Sequence, residues 1–282
     1  MFLREKLDNK IKNIFKYYTF DSKNQIFVGN NIIRDQKKEI LIRSQYLKKT
    51  NNISNVGKYH SIQVMHQEVD WIIKSTKKNS LILDIGGGFG WHWIKIIKKR
   101  TDLKIFIIDM VLENLLIARK IFKKNINKNI FLINENVCSI KIKNKFDIAW
   151  SVQTTQHIPN LDLAIKNIHK SLKSDGIFYN YILNSENLLN KISIILKFLK
   201  LYKKKKNLFY FNNNLFLHKS KTFKYFKNII FKKYNEFLFH PLIKFIFSGH
   251  ENSFLGSLDA KLPRNFLFAK YIARQVCLIT KK

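Results

Sequence analysis

The stretch Leu81-Ile82-Leu83-Asp84-Ile85-Gly86-Gly87-Gly88-Phe89-Gly90 limits what this chain can fold into more than any other. A short apolar run ends in an acid and passes at once into glycines at alternate positions. An apolar helical pattern follows through Trp93, Ile94, Ile96 and Ile97. The pattern predicts a buried strand that turns tightly into a helix, with little side-chain bulk at the strand's carboxyl edge. Open α/β sheets bind ligands at that edge. Glycine there adopts positive φ without strain and lets a ligand approach the backbone.

Spacing separates two kinds of nucleotide turn. The dinucleotide fingerprint needs G-x-G-x-x-G, whose third glycine lets helix and strand pack closely. Counted from Gly86, that third position is Trp91, the bulkiest replacement. The spacing here is G-x-G-x-G, with Asp84 two residues before the first glycine. Four further segments follow in order. Ile105-Phe106-Ile107-Ile108-Asp109 is a second buried strand ending in an acid, and Ile130-Phe131-Leu132-Ile133 leads into Asn134-Glu135-Asn136-Val137. Phe146-Asp147-Ile148-Ala149-Trp150-Ser151 runs on through Gln153 to His157-Ile158-Pro159. Ser171 to Phe178 reads as a helix end, a turn and a fifth strand.

This ordered set, over residues 79–183, resembles the Rossmann-like class of S-adenosylmethionine-dependent methyltransferases. The resemblance implies an α/β fold: a doubly wound, mostly parallel seven-stranded sheet with N-terminal helices and a helical lid insertion. Its last two strands form an antiparallel hairpin, the seventh inserted between the fifth and sixth. The implied cofactor is S-adenosylmethionine. Gly86, Gly88 and Gly90 would face its methionine part, with Asp84 fixing loop and ligand. Asp109 would accept from both ribose hydroxyls, a charge-assisted pairing. Asn136 stands where the family usually has an Asp that accepts from the adenine amino group; one register over, Glu135 takes that place. Ser151 and Gln153 end the fourth strand beside the cofactor, and Tyr59 is the candidate for its carboxylate. The chain departs from the family's L-K-P-G-G segment, with Ser174 and Asp175 for the proline and first glycine.

Plainer roles compete at several positions. Asp84 also suits a turn cap, and Asp109 suits an N-cap for a helix from Val111. Ser151 and Gln153 also suit backbone satisfaction at a strand edge, and His157 suits the organisation of its own loop.

A chain of 282 residues is long enough for one sizeable core with a smaller attached element. Residues 1–78 read as an N-terminal helical cap, with Leu3, Leu7, Ile11 and Ile14, then Ile62, Met65, Val69 and Ile72, at helical spacing. Residues 79–183 and 219–282 read as the core. Residues 184–218 read as a basic amphipathic lid, with Leu188, Ile192, Ile195 and Leu199 along one side. Thr222 to Phe226 suits a last helix, Ile229 to Phe239 an extended segment and Phe266 to Thr280 the final strand. The link from Pro241 to Pro263 is long for a hairpin and carries His250 and Glu251.

The formal charge of +33 and pI near 10.1 invite an anionic partner, either an anionic membrane surface or nucleic acid. Most of the basic residues are lysines, and asparagine, isoleucine and phenylalanine abound with them, as an AT-rich coding sequence produces. No apolar run reaches the ~18 residues of a membrane span. Cys138 and Cys277 stand far apart, His60 and His66 lack the spacing of a ligand pair on one helix face, and no metal is expected. The expectation is a reducing, cytoplasmic setting, with peripheral contact at the inner membrane face as the alternative.

The expected reaction is methyl transfer by in-line displacement, in which the protein aligns the reactants and excludes water. A general base is needed only where the acceptor must lose a proton, and His157, His250 and Glu251 are the candidates. No N-P-P-Y-like motif follows the fourth strand, and neither cysteine has the Pro-Cys or Thr-Cys setting of a pyrimidine-attacking nucleophile. The preferred acceptor is therefore a small molecule, a lipid-linked group or a saccharide. An RNA methyltransferase and a degenerate cofactor-binding protein are the alternatives.

Overall fold

The structure is a computed structural model that describes residues 8–29, 40–41, 56–57, 60–188, 191–192, 213–226, 229–239 and 252–282. Its centre is β3 (Leu81–Ile85), buried at all five positions. Burial on both faces is why every residue of this strand but Asp84 is apolar. β4 (Lys104–Asp109), β5 (Ile130–Asn134), β6 (Phe146–Val152) and the main part of β7 (Leu172–Leu183) lie parallel with it. β9 (Gln275–Lys281) runs antiparallel between β7 and β8 (Ile229–Asn235), as the resemblance implied. The sheet order is β1-β2-β5-β4-β3-β6-β7-β9-β8.

Two strands were not expected. β1 (Thr19–Asp21) and β2 (Ile26–Val28) form an antiparallel hairpin, and β2 pairs parallel with β5. The sheet therefore has nine strands rather than seven, and the N-terminal cap is not wholly helical. Three-residue strands are too short to show a period. They are held by aromatic stacking, with the Phe15 and Phe27 rings 3.5 Å apart, and by Asp21, which accepts from Asn24 N–H at 3.0 Å to close the turn.

Helices cover both faces. α1 (Asn9–Lys12) and α5 (Leu161–Ser171) flank one face, where Ile11, Ile165 and Ile168 pack with Phe106 and Phe131. α2 (Ile62–Ser75), α3 (Ile96–Lys99) and α4 (Leu112–Phe122) cover the other, with Met65, Val69, Ile97 and Leu115 against Ile82, Ile105 and Trp150.

In the C-terminal third, three assignments change. The last large helix, α6 (Leu215–Tyr225), begins inside the segment assigned to the lid, because Asn214 caps it by accepting from Leu217 N–H at 2.9 Å. The link before the final strand holds α7 (Phe254–Lys261), capped by Ser253. The strand itself starts only at Gln275, since α8 (Ala269–Ile272) occupies part of the stretch read as extended. Most of the lid lies outside the described residues. No described helix is long and apolar enough to cross a membrane.

Candidate cofactor and active site

Gly86, Gly88 and Gly90 all have positive φ, at 61°, 59° and 72°, so the turn needs a residue without Cβ at each. Their surroundings differ. A Cβ on Gly86 would overlap the Thr154 side chain, and one on Gly90 would come within 2.6 Å of Ile107 Cδ1 and 2.8 Å of Phe122. A Cβ on Gly88 would meet nothing within 4 Å. Gly86 and Gly90 thus permit close packing, whereas Gly88 faces open space.

Asp84 and Asp109 stabilise this turn from opposite sides. Asp84 is buried and accepts from the Trp93 indole N–H at 2.7 Å. Burial pushes its carboxyl up to about 7; the Trp93 bond opposes the rise and the nearby Asp109 charge adds to it. Asp84 therefore acts on the loop. Asp109 accepts from Gly88 N–H at 2.9 Å through Oδ2 and from Val111 N–H at 2.8 Å through Oδ1. It thereby ties the glycine turn to Val111, the residue that precedes α4. A carboxylate has about four acceptor positions, so both backbone bonds leave capacity for a ligand.

Asp109 also walls a cleft of about 540 Å³, its open mouth included, lined by Ile85, Gly86, Ile108, Val111, Asn136 and His157 among others. Glu135 lines it as well, and burial raises its carboxyl above the usual range. Gly29 lies so close to the Glu135 carboxylate that a Cβ there would overlap it, so the end of the N-terminal hairpin adjoins this end of the cleft. Asn136 reaches the cleft wall, but its carbonyl oxygen accepts from Cys138 N–H at 2.9 Å and caps the following turn. That bond takes one of the two acceptor positions of the oxygen expected to face adenine.

At the end of β6 the backbone is strained. Gln153 holds φ of 49°, which non-glycine residues rarely adopt, while its N–H bonds Tyr181 O at 2.7 Å. The Gln153 Nε2 and Ser151 Oγ atoms are buried without a hydrogen-bond partner. Neither Ser151 nor Gln153 is among the residues lining the cleft. Thr154 donates to Gly86 O at 3.1 Å, tying this segment to the glycine turn.

His157 does line the cleft. The Gln156 carboxamide is oriented by Leu183 N–H, which donates to Oε1 at 2.9 Å, so its NH2 group donates to His157 Nε2 at 3.1 Å. That nitrogen is then the acceptor of a neutral ring with its proton on Nδ1. The base envisaged from the sequence has its acceptor nitrogen engaged. Tyr59, His250 and Glu251 lie outside the described residues.

Sequence reasoning missed Trp93 and Gln156, whose partners are set by the turn and by β7 rather than by local pattern. It also missed Glu236. This residue has φ of 55°, is fully buried, accepts from Ser61 N–H at 2.9 Å and forms an ion pair with Arg274. His60 lies 3.9 Å from the same carboxylate. Among the described residues no group of histidine, cysteine and acidic side chains is arranged to hold a metal.

S-Adenosylmethionine fits what is present. Open space stands over Gly88, a carboxylate stands at the end of β4, and apolar side chains wall the cleft beyond it. Residues 76–229 match the family model described as a methyltransferase domain. The chain is 32% identical over 121 residues to a ubiquinone biosynthesis O-methyltransferase of Pelagibacter ubique, covering 41% of this chain and 48% of that one. It is 22% identical over 160 residues to a ribosomal RNA small subunit methyltransferase G of Prochlorococcus marinus, covering 54% and 66%. The matches thus span about half to two thirds of the length of these curated relatives. A solved SAM-dependent methyltransferase of Thermotoga maritima superposes with a TM-score of 0.58 at 16% identity, over 86% of this chain and 99% of that one. The chain belongs to the methyltransferase-domain family, in its Rossmann-like, S-adenosylmethionine-dependent class.

Proposed function

We propose that the protein transfers a methyl group from S-adenosylmethionine to a small-molecule, lipid-linked or saccharide acceptor by in-line displacement. The observation that carries this reading is the joint role of Asp109, which orders the glycine turn through Gly88 while walling the cleft. When bound, the cofactor supplies an electrophilic methyl group on a cationic sulfur. The chain's own tasks are then positional. The glycine turn admits the ligand to the backbone, Asp109 accepts from hydroxyls at the cleft wall, and apolar side chains such as Ile108, Val111 and Ile158 exclude water. His157, held neutral in one tautomer by Gln156, is the candidate to take an acceptor proton on this side, once that bond is exchanged for the acceptor's.

RNA is the second reading, supported by the high positive charge and by the ribosomal RNA methyltransferase among the relatives. Its contacts would be phosphate contacts and therefore strongly salt-dependent. A cytoplasmic location agrees with either acceptor.

Calorimetry with S-adenosylhomocysteine tests the cofactor site, and Asp109→Ala is expected to weaken binding at least tenfold. Unchanged affinity in that variant would remove the proposed role of Asp109. Tritiated methyl transfer to fractionated lipid, saccharide and RNA then separates the two acceptor readings.

A further inference from the structure

Beyond the cofactor cleft, the carboxyl edge continues across β6, β7, β9 and β8, three steps of about 4.8 Å. Leu183 ends β7 opposite Gln275, and Gln275 faces Asn235 across to β8. Gln275 and Asn235 are fully buried, and neither the oxygen nor the nitrogen of either carboxamide has a hydrogen-bond partner. Strand alternation sets them on the face of Cys277 and Lys233, the side covered by α2.

The same side holds more such atoms. His92 is 5% exposed with both ring nitrogens unbonded, stacks on Trp91 at 3.8 Å and meets the Trp150 ring edge-on at 5.7 Å. Trp150 Nε1 and Ser61 Oγ are likewise buried and unbonded. Buried polar groups without partners are few in native proteins, and each calls for a reason. None of them lines the cofactor cleft, and a ligand seated on the neighbouring strands supplies that reason.

Charge decides which ligand. Glu236 and Arg274 stand at this edge and neutralise each other, and Glu236 also takes Ser61 N–H. Burial pushes the His60 imidazole down to about 3 and holds His92 well below its ordinary value, so both stay neutral. Lys233 and Arg264 on the same side are paired as well, both with the buried Glu68. What remains unpaired is amide, imidazole, indole and hydroxyl: donors and acceptors together, none charged. Phosphate or carboxylate would need an unpaired cation, and an ammonium group an unpaired anion. A hydroxyl both donates and accepts, and the Trp91 and Trp150 rings offer apolar surface.

We infer that this edge, through His92, Asn235 and Gln275, binds an uncharged, hydroxyl-bearing acceptor of the neutral saccharide class. The inference rests on the transfer reading above and narrows it. The acceptor's hydroxyl oxygen forms a bond to the methyl carbon as the carbon–sulfur bond breaks, and that bond's electron pair stays on sulfur. The hydroxyl proton is released to solvent as the new carbon–oxygen bond forms.

The test uses the full chain with Asn235→Leu and Gln275→Leu. Because each replacement removes an unsatisfied buried carboxamide, the melting temperature without ligands is expected to rise by a few degrees. Affinity for S-adenosylhomocysteine should stay within about twofold by calorimetry. Tritiated S-adenosylmethionine is then offered with neutral p-nitrophenyl glycosides, with phosphoethanolamine and histamine, and with a short RNA. Label is expected in a glycoside and should fall at least tenfold in each variant. Label confined to the amines or RNA, no labelled glycoside, or a fall in melting temperature in both variants would overturn the inference while S-adenosylhomocysteine binding persists. Absence of that binding in the parent chain overturns the transfer reading itself.

Discussion

Trp93 donates its indole N–H to the buried Asp84 carboxylate at 2.7 Å, across the glycine turn that separates them. The bond places an acid under the turn, where burial raises its carboxyl to about 7 from an unfolded value of 3.8. Between those values the folded chain holds a proton that the unfolded chain releases. The contribution of Asp84 is therefore fullest below about pH 4 and is lost as pH rises through 7. Denaturant unfolding at several pH values should show the stability difference between the parent and Asp84→Asn shrinking or reversing against the parent over that window. Trp93→Phe removes the donor and should cost about 1–3 kcal/mol, more at pH 8 than at pH 5. Equal losses at both pH values would show that the bond does not matter to the acid.

Alanine at the three glycines of the turn should act in two different ways. Gly86→Ala and Gly90→Ala place a methyl group against Thr154, or against Ile107 and Phe122, in addition to the cost of positive φ. Both should destabilise the fold by about 1–3 kcal/mol. Gly88→Ala meets no atom, so only the conformational cost of about 1–2 kcal/mol applies to folding. Its larger effect should be on the ligand, with at least a tenfold loss of S-adenosylhomocysteine affinity. Thermal melts and calorimetry on the three variants check the contrast.

Glu236 and Arg274 are buried as a pair, and Glu236 sits at a strained backbone position. Arg274→Met leaves the carboxylate uncompensated and should cost about 3–5 kcal/mol. Adding Glu236→Gln should restore most of that loss. A double variant no more stable than Arg274→Met alone would show that packing, not charge, dominates.

Burial holds the His60 and His218 imidazoles near 3, against 6.5 when exposed. Below pH 6.5 the unfolded chain binds protons that these rings refuse, so their contribution is present above 6.5 and is lost as pH falls toward 3. Ring resonances of both should stay unprotonated from pH 8 to 5 by nuclear magnetic resonance. Replacing His218 with Leu should flatten the acid limb of the melting curve.

The sequence was most readable where local pattern and burial coincide. β3, β4 and β5 are mostly apolar runs because a doubly covered parallel sheet buries both faces of each strand. The N-terminal hairpin was not legible, since strands of three residues carry no period and owe their pairing to Phe27 and β5. The final strand was read too long because residues 266–274 are apolar yet turn into α8.

By itself the sequence determined the strand-turn-helix at residues 81–97, the acid at the end of β4 and the order of the central strands. These depend on side-chain size, on glycine's tolerance of positive φ and on the period of apolar residues, all of which act between near neighbours. Tertiary structure alone decided that Asp84 serves Trp93, that Gln156 fixes the His157 tautomer and that Asn136 spends its carbonyl on Cys138. It also brought Ser61 to Glu236 and Asn235 to Gln275. Hydrogen bonds and desolvation depend on which groups the packed chain brings within about 3 Å, and no spacing along the chain encodes that.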